Sequence, residues 1–78
     1  MKLTYDDTWQ LLETGRSLLD LTRDPMAASA VKLVAGLLQR FDFEDVHSPG
    51  RITLSPQEHY AATYLWRMDE ARVVLYGH

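Results

Sequence analysis

The sequence contains no cysteine. That absence excludes disulfide bonds, thiolate nucleophiles and cysteine–zinc centres together. A small disulfide-free domain fits a reducing cytoplasm better than an extracellular space. Long apolar runs are missing too. The longest uncharged apolar stretch, Leu33 to Leu38 (LVAGLL), is far too short to span a bilayer. The opening residues, MKLTYDDTWQ, turn acidic and polar at once and do not read as a secretory signal. The expectation is a cytoplasmic protein with no membrane attachment.

A strong charge of either sign is also lacking. The net charge of −3 supplies no basic field for phosphates and too little acidity to mimic a nucleic acid. The basic residues, among them Arg16, Arg23, Lys32, Arg40, Arg51, Arg67 and Arg72, are spread over every segment beside acidic neighbours. Nucleic-acid binding is therefore disfavoured. Its best version uses the last helix, where Gln57, Arg67 and Arg72 are opposed by Glu58, Asp69 and Glu70.

Catalytic and metal-binding patterns are equally sparse. His47, His59 and His78 show neither HExxH nor paired His-x3-His spacing, so no metal site is assigned. The carboxylate pairs Asp6/Asp7, Glu44/Asp45 and Asp69/Glu70 are sequence neighbours, which a helix turns about 100° apart rather than into a proton-sharing dyad. No GxSxG elbow occurs. Neither catalytic residue nor cofactor is expected, and the chain is not read as an enzyme.

What remains is apolar patterning at helical spacing. At 78 residues the chain forms one small domain, burying roughly 60% of the surface its unfolded form exposes. Association with a partner or with itself is a common supplement to so thin a core. The fold expected is all-α, a small three-helix bundle with helices over about 5–22, 25–41 and 56–76.

Local signals place those helices. Thr4 is set to cap the first, with Asp6 and Asp7 at the positive end of its dipole. Leu11, Leu12, Leu18 and Leu19 form its apolar face, with Gly15 among them. Asp24-Pro25 marks a new N-cap and first helical position. The second helix carries Ala27, Ala30, Val31, Val34, Leu37, Leu38 and Phe41 on one stripe, opposite Lys32, Gly36 and Gln39. Ser55-Pro56-Gln57-Glu58 is a capping box for the third, and Gly77 is expected to end it.

Between the second and third helices, residues 42–54 break the helical period. Ser48-Pro49-Gly50 signals a turn, and Ile52-Thr53-Leu54 alternates as a short strand does. The segment reads as a structured loop tucking Phe43, Ile52 and Leu54 under the bundle, with a local hairpin as the alternative.

The last helix holds more apolar surface than one face accommodates. Ala61, Tyr64, Leu65, Met68, Ala71 and Leu75 share the arc expected to face the other helices. Ala62, Trp66 and Val73 share a second arc, while Thr63, Arg67 and Glu70 form the polar remainder. Tyr5 and Trp9 make a similar surplus beside the leucine face of the first helix. Either the 42–54 loop covers Trp66 or it stays exposed as a contact, and tryptophan beside arginine is a composition that interface hot spots favour. The surrounding charges are read as a solvated surface, with weak pairs Arg67–Glu70 and Asp69–Arg72.

These features lead to the expectation of a non-catalytic protein–protein interaction module. Small inhibitors and adaptors that occlude a larger protein, such as accessory proteins of phages and mobile elements, share its size and composition. The candidate contact residues are Trp66, Arg67, Val73, Ala62 and Arg51, next to the Ser48–Arg51 turn. The partner is a larger protein or, through paired last helices, a second copy in a homodimer. The alternative is a small nucleic-acid-binding regulator using the last helix.

Overall fold

The computed structural model describes the backbone of residues 1–76 and the side chains of residues 1–71. Within them the order is β1 (Lys2–Thr4), α1 (Tyr5–Leu19), α2 (Pro25–Phe43), β2 (Arg51–Thr53) and α3 (Pro56–Tyr76). The three helices form the expected all-α bundle, with α2 packed against both others. Gly77, the expected stop for α3, lies outside the described residues.

Each helix starts where its capping residues dictate. Asp7 N–H donates to the Thr4 hydroxyl, and the Asp7 carboxylate accepts from Thr4 N–H, closing a capping box. The Asp24 carboxylate accepts from Met26 N–H, with Pro25 in the first helical position. At α3, Glu58 N–H donates to the Ser55 hydroxyl at 3.3 Å, and the Glu58 carboxylate accepts from Ser55 N–H at 2.8 Å.

The helix ends differ from the sequence expectation in two places. Helix α1 stops at Leu19, because Leu21 and Thr22 turn their N–H groups back onto the Leu18 carbonyl. The Thr22 hydroxyl then accepts from Asp24 N–H, a local bond that competes with continued helix. Leu19, expected in the core, is exposed, and Leu18 alone of that pair is buried. Helix α2 runs on to Phe43 and closes with a Schellman pattern. Val46 N–H donates to the Phe41 carbonyl, Asp45 N–H donates to the Asp42 carbonyl, and Asp45 takes the left-handed conformation at φ 54°. This continuation explains Phe43. Two residues beyond buried Phe41, it lies about 200° around the same helix. It is 90% exposed, not tucked beneath the bundle.

The strand foreseen at residues 51–53 forms, but with a different partner. β2 pairs antiparallel with β1 in the register Lys2–Thr53, Leu3–Ile52 and Thr4–Arg51. The local hairpin alternative is therefore corrected. A ladder to the amino terminus delivers Leu3 and Ile52 together into the core, and Leu54 follows. The core continues through Leu11, Leu12, Leu18, Val34, Leu37, Phe41, Ala61 and Leu65, with Val31, Leu38, Tyr64 and Met68 half-buried against it. Gly15 sits where α1 meets both other helices closely, and an added Cβ would stand 2.7 Å from Val31 Cγ2 and 3.1 Å from Leu65 Cδ1. On the outer side of α1, Tyr5 packs edge-on against Phe41 at 5.4 Å and Trp9 at 6.4 Å, leaving both Tyr5 and Trp9 partly exposed.

Candidate interaction surface

Helix α3 is anchored at its start by an ion-pair network that joins three elements. The Arg40 guanidinium, on α2, contacts Glu58 at 2.5 Å and Glu44 at 2.7 Å. It also donates to the Thr53 carbonyl of β2 at 3.1 Å. Glu58 thus serves both as the capping side chain of α3 and as the counter-ion of Arg40. Further along, the Tyr64 hydroxyl donates to the Asp24 carboxylate, tying the middle of α3 to the N-cap of α2.

With its inner face held by Ala61, Ala62 and Leu65, α3 presents His59, Tyr60, Thr63, Tyr64 and Arg67 around an open hollow of about 270 Å³. The Thr63 hydroxyl oxygen is buried there and has no hydrogen-bond partner among the described residues. A buried hydroxyl left unpaired is costly to the fold. Arg67 is exposed, and among the described residues it takes part in no ion pair. The expected Arg67–Glu70 pair does not form. The Asp69–Arg72 pair involves a side chain outside the described residues. A smaller, largely apolar hollow of about 90 Å³ lies on the other side of Tyr60 and Tyr64, with Met26, Ser29, Ala30, Leu33 and Ala61 in its walls.

The five sequence-predicted contact residues fare differently. Arg67 lines the larger hollow. Trp66 does not line it, and at 38% exposure the 42–54 segment leaves it at least partly uncovered. Ala62 is fully buried at 0% and leaves the candidate surface. The physical reason is its position about 60° around the helix from buried Leu65, at the edge of the inner face, where a single methyl group is easily covered. Arg51 is exposed on β2 opposite Thr4 and lines neither hollow. The Val73 side chain lies outside the described residues. Ala71, expected on the core arc, is exposed.

Tyr60, 60% exposed, also lines the larger hollow, and Thr63, expected on the polar side, has its hydroxyl enclosed. The available signal was the spacing His59–Thr63–Arg67 with Tyr60–Tyr64, which puts a cation, an imidazole and two phenols on one outward strip. His47 bonds Asp45 at 2.9 Å in solvent, away from His59's hollow. No three histidine, aspartate or glutamate side chains gather in metal-binding geometry among the described residues. No helix among the described residues is long and apolar enough to cross a membrane. Comparison of the chain with protein-family models, curated proteins and solved structures returns no match.

Proposed function

We propose that this chain is a non-catalytic protein–protein interaction module of the cytoplasm, an inhibitor or adaptor that seats a larger protein on the outer face of α3. The observation that carries this reading is the uncompensated polarity of that face. Among the described residues Arg67 is exposed and takes part in no ion pair, and Tyr60 and Trp66 on the same helix are exposed as well. A partner that supplies an acceptor to Arg67 gains directed bonds, while Tyr60 and Trp66 supply apolar area. Tyrosine, tryptophan and arginine are the residues that dominate measured interface energies. Buried Leu65, the Glu58–Arg40 pair and the Tyr64–Asp24 bond at the edge of the strip hold the helix that presents it.

The test is capture of partner from lysate of the cells that express the chain, comparing wild type with the double variant Trp66→Ala, Arg67→Glu. Both positions are exposed, so the variant keeps the helical circular dichroism of wild type. A defined larger protein is retained by wild type and lost by the variant. Equal retention by both would remove α3 as the contact face.

A further inference from the structure

The outward flank of α2 carries a pattern of which the bundle engages the Arg40 guanidinium but leaves Met26, Leu33 and Phe43 exposed. Met26, Ser29, Leu33, Gly36, Arg40 and Phe43 recur at alternating spacings of three and four, the a/d repeat of a coiled-coil seam. The bundle core uses a different stripe of the same helix, Ala27, Ala30, Val34, Leu37 and Phe41. Met26, Leu33 and Phe43 are exposed, Phe43 at 90%. Nothing lies within 4 Å of a Cβ added at Gly36. The Arg40 guanidinium is engaged by Glu44, Glu58 and the Thr53 carbonyl, so its charge is already neutralised within the chain.

We propose that this seam pairs with the same seam of a second copy, antiparallel, across a two-fold axis between Val34 and Ala35. The assignment follows from how the six positions match under that symmetry. Met26 meets Phe43 of the second copy, Ser29 meets its Arg40, and Leu33 meets its Gly36, with each contact repeated in reverse. The matches are complementary in size and chemistry. Leucine opposes glycine, where the backbones approach most closely, and the methionine sulfur meets an aromatic ring. The small apolar hollow walled by Met26, Ser29, Ala30, Leu33 and Tyr60 stands beside the end of the seam that Phe43 of the second copy reaches.

Charge selects the same orientation. The carboxyl-terminal end of α2 carries Asp42, Glu44 and Asp45 around Phe43, with Glu44 paired to Arg40 and Asp45 bonded to exposed His47, so the end keeps an acidic excess. Its first turn has no acidic residue, and Arg23 precedes it. Asp24, the carboxylate at that end, already accepts bonds from Met26 N–H and the Tyr64 hydroxyl. Antiparallel pairing therefore lays an acidic end over Arg23 and the positive pole of the other helix. Parallel pairing would set Phe43 on Phe43, Arg40 on Arg40 and the two acidic ends together. A single helix pair falls at the low end of interface sizes, under about 1,200 Å² in total, so the association is a reversible equilibrium. It does not involve Trp66 or Arg67, and of the contact residues proposed above only Tyr60 borders both surfaces.

Sedimentation equilibrium over a concentration series tests the pairing, with four variants. Wild type is expected to rise from monomer toward dimer mass. Gly36→Glu and Phe43→Ser should stay monomeric at the same concentrations while retaining wild-type helicity, because both positions face open solvent in the monomer. Since the chain has no cysteine of its own, orientation is read by oxidation. A mixture of Met26→Cys and Phe43→Cys should cross-link between the two variants, and neither should cross-link comparably alone. The proposal is overturned if wild type remains monomeric at the highest concentration NMR requires. It is equally overturned if both seam variants dimerise like wild type, or if Met26→Cys links chiefly to itself. Loss of capture of a different protein by Gly36→Glu, with wild type monomeric, would put a foreign helix on the seam and likewise overturn self-pairing.

Discussion

The Tyr64 hydroxyl donates a hydrogen bond to the Asp24 carboxylate, so one contact joins the middle of α3 to the residue that caps α2. Each group shifts the other's ionisation. The bond from Tyr64, helped by Met26 N–H, holds the Asp24 carboxyl below its ordinary 3.8. The same bond, reinforced by desolvation and the nearby Asp24 charge, pushes the Tyr64 phenol from 10.0 up to about 12.

Both limbs of the stability profile should report this contact. A depressed carboxyl stabilises the fold above its unfolded value, and that contribution is lost as pH falls below 3.8 through the folded value. A raised phenol stabilises the fold below pH 10, and that contribution disappears as pH climbs from 10 to about 12. Tyr64→Phe should flatten both limbs when urea midpoints are plotted against pH. An unchanged alkaline limb would show that another group governs it.

The two helical glycines should respond to alanine with opposite signs. At Gly15 the new methyl would meet Val31 at 2.7 Å, and a β-branched side chain has little freedom to move aside. Overpacking of about 1–3 kcal/mol outweighs the propensity gain of about 1 kcal/mol, so Gly15→Ala lowers stability. At Gly36 the space is open, and Gly36→Ala should raise monomer stability by about 0.5–1 kcal/mol. Chemical denaturation in dilute solution measures both.

Asp45 terminates α2 with a positive φ of 54°. Glycine adopts that conformation without steric cost, so Asp45→Gly should stabilise the chain by about 0.5 kcal/mol. Asp45→Val should destabilise it by about 1–2 kcal/mol. Paired thermal melts of the two variants give the comparison.

Arg40 binds the end of α2 to β2 and to the start of α3. Its side chain is 31% exposed, so solvent weakens each bond. Arg40→Met keeps the apolar stem and removes the charge, and should cost about 1–2 kcal/mol. Hydrogen exchange should quicken most in Arg51–Thr53 and the first turn of α3. Uniform acceleration across the chain would argue against a local clamp.

Helix starts were legible because capping is local. Thr4 with Asp7, Asp24 with Pro25, and Ser55 with Glu58 sit within three residues of the groups they serve. The stripe on α2 was legible for a similar reason. The β1–β2 pairing was not, since Leu3 and Ile52 come together from either side of α1 and α2 and no short-range pattern encodes their register. Each does sit between two polar residues, Lys2 and Thr4, Arg51 and Thr53, and that matched alternation was the faint signal. Phe43 was misplaced because aromatic residues are usually buried, while the helix that carries it runs two residues further than the pattern indicated. Ala62 and Trp66 share an arc, but only the larger side chain extends past the packed helices.

The most direct test of the account installs a photo-crosslinking aromatic residue in place of Trp66, with a control in place of Glu13 on exposed α1. Irradiation in the expressing cells should join the chain at position 66 to a larger protein, and position 13 should yield no such adduct. Absence of an adduct from position 66, or the same adduct from both positions, would contradict an interaction face on α3.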